Sequence, residues 1–128
     1  ETIGLGAAID YLSEIGMDRV RQHEIELTDY AIKKLVNVEG VRVLGPHDPT
    51  LRGAAISFTF GNVHPHDLGS ILDHEAIAIR AGHHCAMPLH RKLGIPASAR
   101  ASLYIYNTTD DIDRLVVGLD KASEIFGG

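Results

Sequence analysis

One cysteine stands in 128 residues, in the run Arg80-Ala81-Gly82-His83-His84-Cys85-Ala86-Met87-Pro88, five positions after a guanidinium and directly behind two imidazoles. A thiol attacks as its thiolate, and an ordinary cysteine, with a pKa of about 8.5, supplies only a few per cent of that form at neutral pH. Cationic neighbours raise the fraction, so Arg80, and His83 or His84 when protonated, mark Cys85 as a candidate nucleophile. Gly82 admits a backbone with positive φ, and Pro88 is expected to block an early return to helix, which puts Cys85 on an exposed, shaped loop. A lone cysteine is more commonly a small buried hydrophobe. The polar company of this one argues for chemistry instead.

Arg100, in Ala99-Arg100-Ala101-Ser102, is the second candidate. Its rigid fork of donors matches a carboxylate in two parallel hydrogen bonds, which lysine cannot reproduce. A surface ion pair is the commoner use of an arginine, but this one heads an apolar run after Pro96-Ala97-Ser98, so a partly buried functional role is expected. Six of the eight histidines fall between His64 and His90, which raises a metal site as a rival, with His83, His84 and Cys85 as ligands. Three contiguous residues rarely turn toward one ion, and paired C-x-x-C units are absent, so no metal is expected. His83 and His84 are read as supporting the thiol or lining its pocket; His64, His66 and His74 as solvated or capping. Neither G-x-G-x-x-G nor G-x-x-x-x-G-K-[ST] occurs, so nothing signals dinucleotide or nucleotide chemistry.

The elements that must hold these groups are legible in outline. Ile3, Ala7, Ala8, Leu12 and Ile15 follow helical spacing up to Gly16; Met17, Val20, Glu24, Leu27, Ala31, Leu35 and Val38 form the stripe of a second helix ended by Glu39-Gly40. Val41–Leu44 reads as a strand closed by Gly45-Pro46. Between Gly53 and Phe60, Ala54, Ile56, Phe58 and Phe60 alternate against Ala55, Ser57 and Thr59, a half-buried strand. Pro65 opens a short helix with Leu68, Ile71 and Leu72 inward, and Ile77-Ala78-Ile79 is expected to be a strand that delivers Arg80 at its end. A brief helix near Leu89–Leu93 stops at Gly94 and Pro96, Ala101–Tyr106 is expected to be a strand, and Thr108 with Asp111 starts a last helix with Ile112, Leu115, Val116, Leu119 and Phe126 inward. The order predicts an α+β domain, a small sheet with helices packed on one side.

Composition narrows the function classes. With 45% hydrophobic and 23% charged residues the chain is an ordinary globular sequence of one domain. No apolar run approaches the roughly 20 residues of a membrane span, and the first residues show no basic segment followed by an apolar one, so none of the marks of a signal segment is read here. A net charge of −5 without a Lys/Arg block argues against nucleic acid. A single cysteine allows no internal disulfide, and a cytoplasmic setting is expected. The chain opens at Glu1-Thr2-Ile3 with no initiator methionine, as expected of a segment of a longer polypeptide.

The stretch Ile79–Leu89, with Ala99-Arg100-Ala101-Ser102 and Tyr106-Asn107-Thr108, resembles the C-terminal part of the SufS-type (group II) cysteine desulfurases and the similar selenocysteine lyases. The likeness extends from Ile3-Gly4-Leu5-Gly6-Ala7-Ala8 to the last helix. It implies the small C-terminal domain of a fold-type I pyridoxal-phosphate enzyme over 17–128, with helix 1–16 packed near a large cofactor-binding domain. It implies conversion of L-cysteine to L-alanine with a persulfide on Cys85, Arg100 on the substrate carboxylate, Arg80 as a second active-site arginine, and Gly82, His83 and His84 in support. A sulfur acceptor of SufE or SufU type, supply of sulfur for iron-sulfur clusters, and a homodimer are implied as well. The family's serine-glycine-histidine-lysine context is nowhere in the chain, so Lys33, Lys34, Lys92 and Lys121 are not read as cofactor lysines. Pyridoxal phosphate is therefore expected in the longer parent and not on this chain, which alone should be inactive. Selenocysteine lyase, or a relay module that only accepts and passes sulfur, are the alternatives.

Overall fold

Gly16 divides the N-terminal helical stretch in two. In a computed structural model describing residues 1–126, Gly16 takes φ 91° and donates its N–H to the Leu12 carbonyl, ending α1 (Thr2–Ile15) and redirecting the chain into α2 (Met17–Leu35). That left-handed turn suits glycine alone at low cost. α2 buries Val20, Leu27, Ala31 and Leu35 as its spacing predicts, and also Thr28 and Ile32. Met17, expected on this stripe, is 57% exposed as the first residue of the helix. α1 buries nothing: Ile3 is 91% exposed, and Leu5, Ile9 and Tyr11 are exposed too.

After β1 (Val41–Val43) and a 3₁₀ turn at Pro49–Leu51 comes β2 (Ala55–Phe60), whose buried Ile56, Phe58 and Phe60 confirm the period-2 reading. Then follow α3 (Pro65–His74), β3 (Arg80–Gly82), α4 (Met87–Leu93), β4 (Ser98–Ser102) and α5 (Thr109–Phe126). The four strands pair antiparallel throughout in the order β1-β2-β4-β3. Ile56, Phe58, Ala99 and Ala101 on one face pack with Leu27, Leu35, Leu68, Leu72, Ile112 and Leu119 of α2, α3 and α5 in a single core. The domain is α+β, with these helices on one side of the sheet. No helix among the described residues is long and apolar enough to cross a membrane.

Several expected boundaries move. Ile77-Ala78-Ile79 is not a strand: Ile77 N–H closes a turn onto the Leu72 carbonyl at 2.9 Å, and Ile77 and Ile79 lie partly buried against the core with no ladder bonds. Their apolar character reports burial, and pairing with β4 starts only at Arg80. Nor does a strand run from Ala101 to Tyr106. β4 spans 98–102, Leu103 N–H still reaches the Ala54 carbonyl, and then Asn107 Oδ1 takes the Tyr104 N–H at 2.9 Å while Asn107 N–H returns to the Tyr104 carbonyl at 3.0 Å. The chain turns there instead of extending. Arg100 thus sits in the middle of its strand. Pro88 does not delay the helix; it lies in the first turn of α4, where a missing N–H is harmless. Phe126, expected to face inward, is 46% exposed at the end of α5, past the last buried residue Ala122. Asp111 accepts the Thr108 N–H at 3.0 Å and so caps α5 as expected.

Candidate functional site

Alternation along β4 turns Ala99 and Ala101 into the core and Ser98, Arg100 and Ser102 to the opposite face. Register then puts Arg80 of β3 directly across from Arg100. Directly opposed residues of antiparallel strands point to the same side, and like charges there repel. Arg100 is half-buried and its Nε donates to Ser102 Oγ at 3.1 Å, while Arg80 is exposed. Ion pairs among the described residues join Arg21 to Glu24, Lys33 to Asp29, Lys34 to Asp113 and Lys121 to Glu75, and none includes Arg80 or Arg100. Two guanidinium groups side by side without a counter-anion form a donor array suited to a carboxylate.

β3 ends in the loop that carries the thiol. Gly82 has φ 123°, and His84 and Cys85 have φ 53° and 60°. For residues with a Cβ, the left-handed region costs roughly 1–2 kcal/mol each, so two in succession are strain that the surroundings must hold in place. The bond from Ala86 N–H to the His83 carbonyl, 2.8 Å, and the start of α4 close the loop. The result is an exposed Cys85. Its thiol has no hydrogen-bond partner among the described residues.

His84 points back to the sheet. Its Nε2 lies 3.1 Å from Ser98 Oγ, which also lies 2.9 Å from His90 Nε2; His90 Nδ1 lies 3.0 Å from the Ala86 carbonyl. Ser98 is fully buried and His90 is 5% exposed. Burial, followed by the charges of Arg100, His90 and Arg80, holds the His84 imidazole below its ordinary pKa, against a smaller opposing effect of the bond to Ser98. His84 is thus biased toward its uncharged form and is bonded to Ser98 and not to the thiol. His83 is exposed, its ring edge-on to His90 at 5.4 Å.

The candidates Arg80, Gly82, His83, His84, Cys85 and Arg100 thus fall on one strand pair and its loop. Ser98 and His90 had no role in the sequence reading. Only the i, i+2 relation of Ser98 to Arg100 pointed toward the first, and His90 lay hidden in an amphipathic turn. His64 caps α3 by accepting the His66 N–H, and His74 bonds the Ser70 carbonyl, as solvated or capping groups do. Among the described residues no three His, Cys, Asp or Glu side chains are grouped as a metal ion requires. A separate 290 Å³ cleft, lined by Leu35, Ile56, Ile77, Ser102 and Asn107 among others, includes none of the candidates. The site is an open face.

The residues present do not by themselves make a pyridoxal-phosphate site. Lys33, Lys34 and Lys121 are engaged with Asp29, Asp113 and Glu75 away from the arginine pair, and Lys92 is exposed on α4. Such a site needs a lysine for the Schiff base and a phosphate cradle.

Comparison with known proteins agrees with this fold. The family profile Aminotransferase class-V matches residues 1–115. A probable cysteine desulfurase of Streptomyces coelicolor is 54% identical over 127 residues, 99% of this chain and 30% of that protein. Another from Halalkalibacterium halodurans is 51% identical over 125 residues, 98% of this chain and 30% of its own length. The apo structure of a cysteine desulfurase from Thermococcus onnurineus superposes with a TM-score of 0.91 at 34% identity, covering 97% of this chain and 31% of that one. The chain therefore spans about 30% of the length of these relatives.

Proposed function

The chain belongs to the aminotransferase class-V family, and from that premise we propose that it is the thiol-bearing part of a pyridoxal-phosphate-dependent cysteine desulfurase. The observation that carries the reading is an exposed, unpartnered thiol on a strained loop directly after Arg80, which stands across from Arg100. In the net reaction the carbon–sulfur bond of L-cysteine breaks, a sulfur–sulfur bond forms on Cys85, and the released carbon gains a proton to give L-alanine. No external oxidant is needed, since the sulfur is oxidised as the carbon is reduced. Arg100 holds the substrate carboxylate through paired bonds, and Arg80 adds a second donor. The loop strain keeps Cys85 in the open, where sulfur can arrive and leave.

Pyridoxal phosphate, held by residues of another part of the protein, would supply the electron sink that weakens the carbon–sulfur bond. The exposed apolar residues of α1 are covered by that part on the same reading, and the protein works as a homodimer in the cytoplasm. The persulfide passes to a sulfur acceptor of SufE or SufU type and on to iron-sulfur assembly.

Exchange of this chain for the corresponding segment of the Streptomyces coelicolor relative tests the proposal. The cofactor-loaded chimera, given L-cysteine, is expected to release alanine and to carry one extra sulfur on Cys85 by mass spectrometry. Alanine without that adduct, or a folded and loaded chimera with no alanine, would overturn it.

A further inference from the structure

For an uncharged His90, the hydrogen-bond chain behind the thiol loop has one direction that leaves no buried donor unpaired. The Ala86 carbonyl can only accept, so His90 Nδ1 carries a hydrogen. A neutral His90 then presents a lone pair at Nε2, which takes the hydroxyl hydrogen of Ser98 at 2.9 Å. That hydrogen being committed, Ser98 Oγ meets His84 Nε2 as an acceptor, at 3.1 Å, and His84 Nε2 must donate. The His84 electron pair is left on Nδ1. In the structure Nδ1 is the buried His84 nitrogen with no partner. The opposite direction would leave a buried N–H there, and buried donors without acceptors are rarer than buried acceptors without donors.

An unpaired buried acceptor costs stability, and a fold that keeps one has a reason. Nδ1 is bonded to the ring carbon nearest the main chain and so lies close to the loop backbone. The next residue along that loop is Cys85, whose thiol is a donor without a partner.

We propose that Ser98 and His90 are positioning residues that fix His84 as the Nε2–H imidazole and so hold its Nδ1 ready to take the proton of the Cys85 thiol. In that step the sulfur–hydrogen bond breaks, the electron pair stays on sulfur, and the proton moves to Nδ1, leaving an imidazolium whose Nε2–H still bonds Ser98. The step requires the exposed Cys85 side chain to rotate toward the ring. The use of the thiolate for sulfur transfer rests on the proposed function; the direction of the chain does not.

Long-range ¹H–¹⁵N NMR of the labelled chain at mildly alkaline pH reads each tautomer directly. His84 is expected as Nε2–H and His90 as Nδ1–H. Ser98→Ala should mix the His84 tautomers and slow alkylation of Cys85, the chain's single cysteine, by iodoacetamide several-fold near neutral pH, while Ser98→Thr restores both. His84→Gln should slow alkylation as much and leave His90 as Nδ1–H. A wild-type His84 in the Nδ1–H form, or alkylation unchanged in both Ser98→Ala and His84→Gln, would overturn the proposal. Neither readout uses cofactor or cysteine substrate, so the desulfurase reading can fail in the chimera without touching this one.

Discussion

Replacing Arg80 by threonine should stabilise the chain at low salt. Arg80 and Arg100 face each other across β3 and β4, and neither has an acidic partner among the described residues. Two unit charges about 7 Å apart in water repel by about 0.6 kcal/mol, within the range of about 0.2–1 kcal/mol for directly opposed pairs. With a screening length of about 30 Å in 10 mM salt, most of this survives; at about 3 Å in 1 M salt, roughly a tenth does. Arg80→Thr is therefore expected to add about 0.5 kcal/mol in 10 mM salt and almost nothing electrostatic in 1 M. Urea is the denaturant of choice, since guanidinium chloride is itself a salt. At a slope of roughly 1–3 kcal/mol per molar, the low-salt midpoint should rise by about 0.2–0.5 M. Threonine is also a good strand former, and that part of any gain does not respond to salt. The diagnostic quantity is the part that salt removes. A variant less stable than wild type in 10 mM salt, or a gain unchanged up to 1 M, would refute the idea that the arginine pair is held in mutual repulsion.

In the chimera, Arg100→Lys should weaken cysteine binding by about 1.5–3 kcal/mol, roughly tenfold to more than a hundredfold in KM, through loss of one charge-assisted bond; an unchanged KM would make Arg100 structural. Burial and then Arg100 depress the His84 pKa, so as pH falls below the ordinary histidine value of about 6.5 the unfolded chain takes up this proton first and the native state loses stability. Urea midpoints followed from pH 7.5 to 5 should show that decline, and His84→Gln should flatten it; an identical slope in the variant contradicts the assignment. A Cβ on Gly118 would stand 2.6 Å from Leu72 Cδ2 and 2.9 Å from Ile77 Cδ1, and because Leu72 is fully buried the overpacking of about 1–3 kcal/mol outweighs the roughly 1 kcal/mol gained in helix propensity. Thermal unfolding of Gly118→Ala should accordingly occur at lower temperature, and a higher midpoint would show that Leu72 can move aside. Thr28 is fully buried with an unpaired hydroxyl, so Thr28→Val should stabilise by about 1 kcal/mol in urea, and a loss would mean that the hydroxyl has a partner in solution.

Periodicity found the helices and β2 because burial and secondary structure coincide there: Ile56, Phe58 and Phe60 are buried and paired at once. It misplaced the next two strands for one reason. Ile77 and Ile79 touch the core without pairing, while Arg80-Ala81-Gly82 and Ser98-Ala99-Arg100-Ala101-Ser102 pair without much apolar character. Small and charged residues have little strand preference of their own, so these strands exist because β2 and the helices impose them. The thiol and its arginines were legible from residue types in close sequence. Ser98 and His90 were not, because their role depends on α4 folding back to bring a helix residue against the sheet's open face.

β3 ends the sheet, so one row of its amides and carbonyls has no strand partner. Such a row invites another chain to add itself, and natural proteins discourage this with short edge strands and charges. β3 is three residues long and begins with an exposed Arg80. Arg80, proposed above as a second donor beside Arg100, is therefore also a guard on the edge, and a single replacement separates two properties that usually move together. Without Arg80 the folded chain is harder to unfold and easier to aggregate, so its solubility limit should fall while its urea midpoint rises.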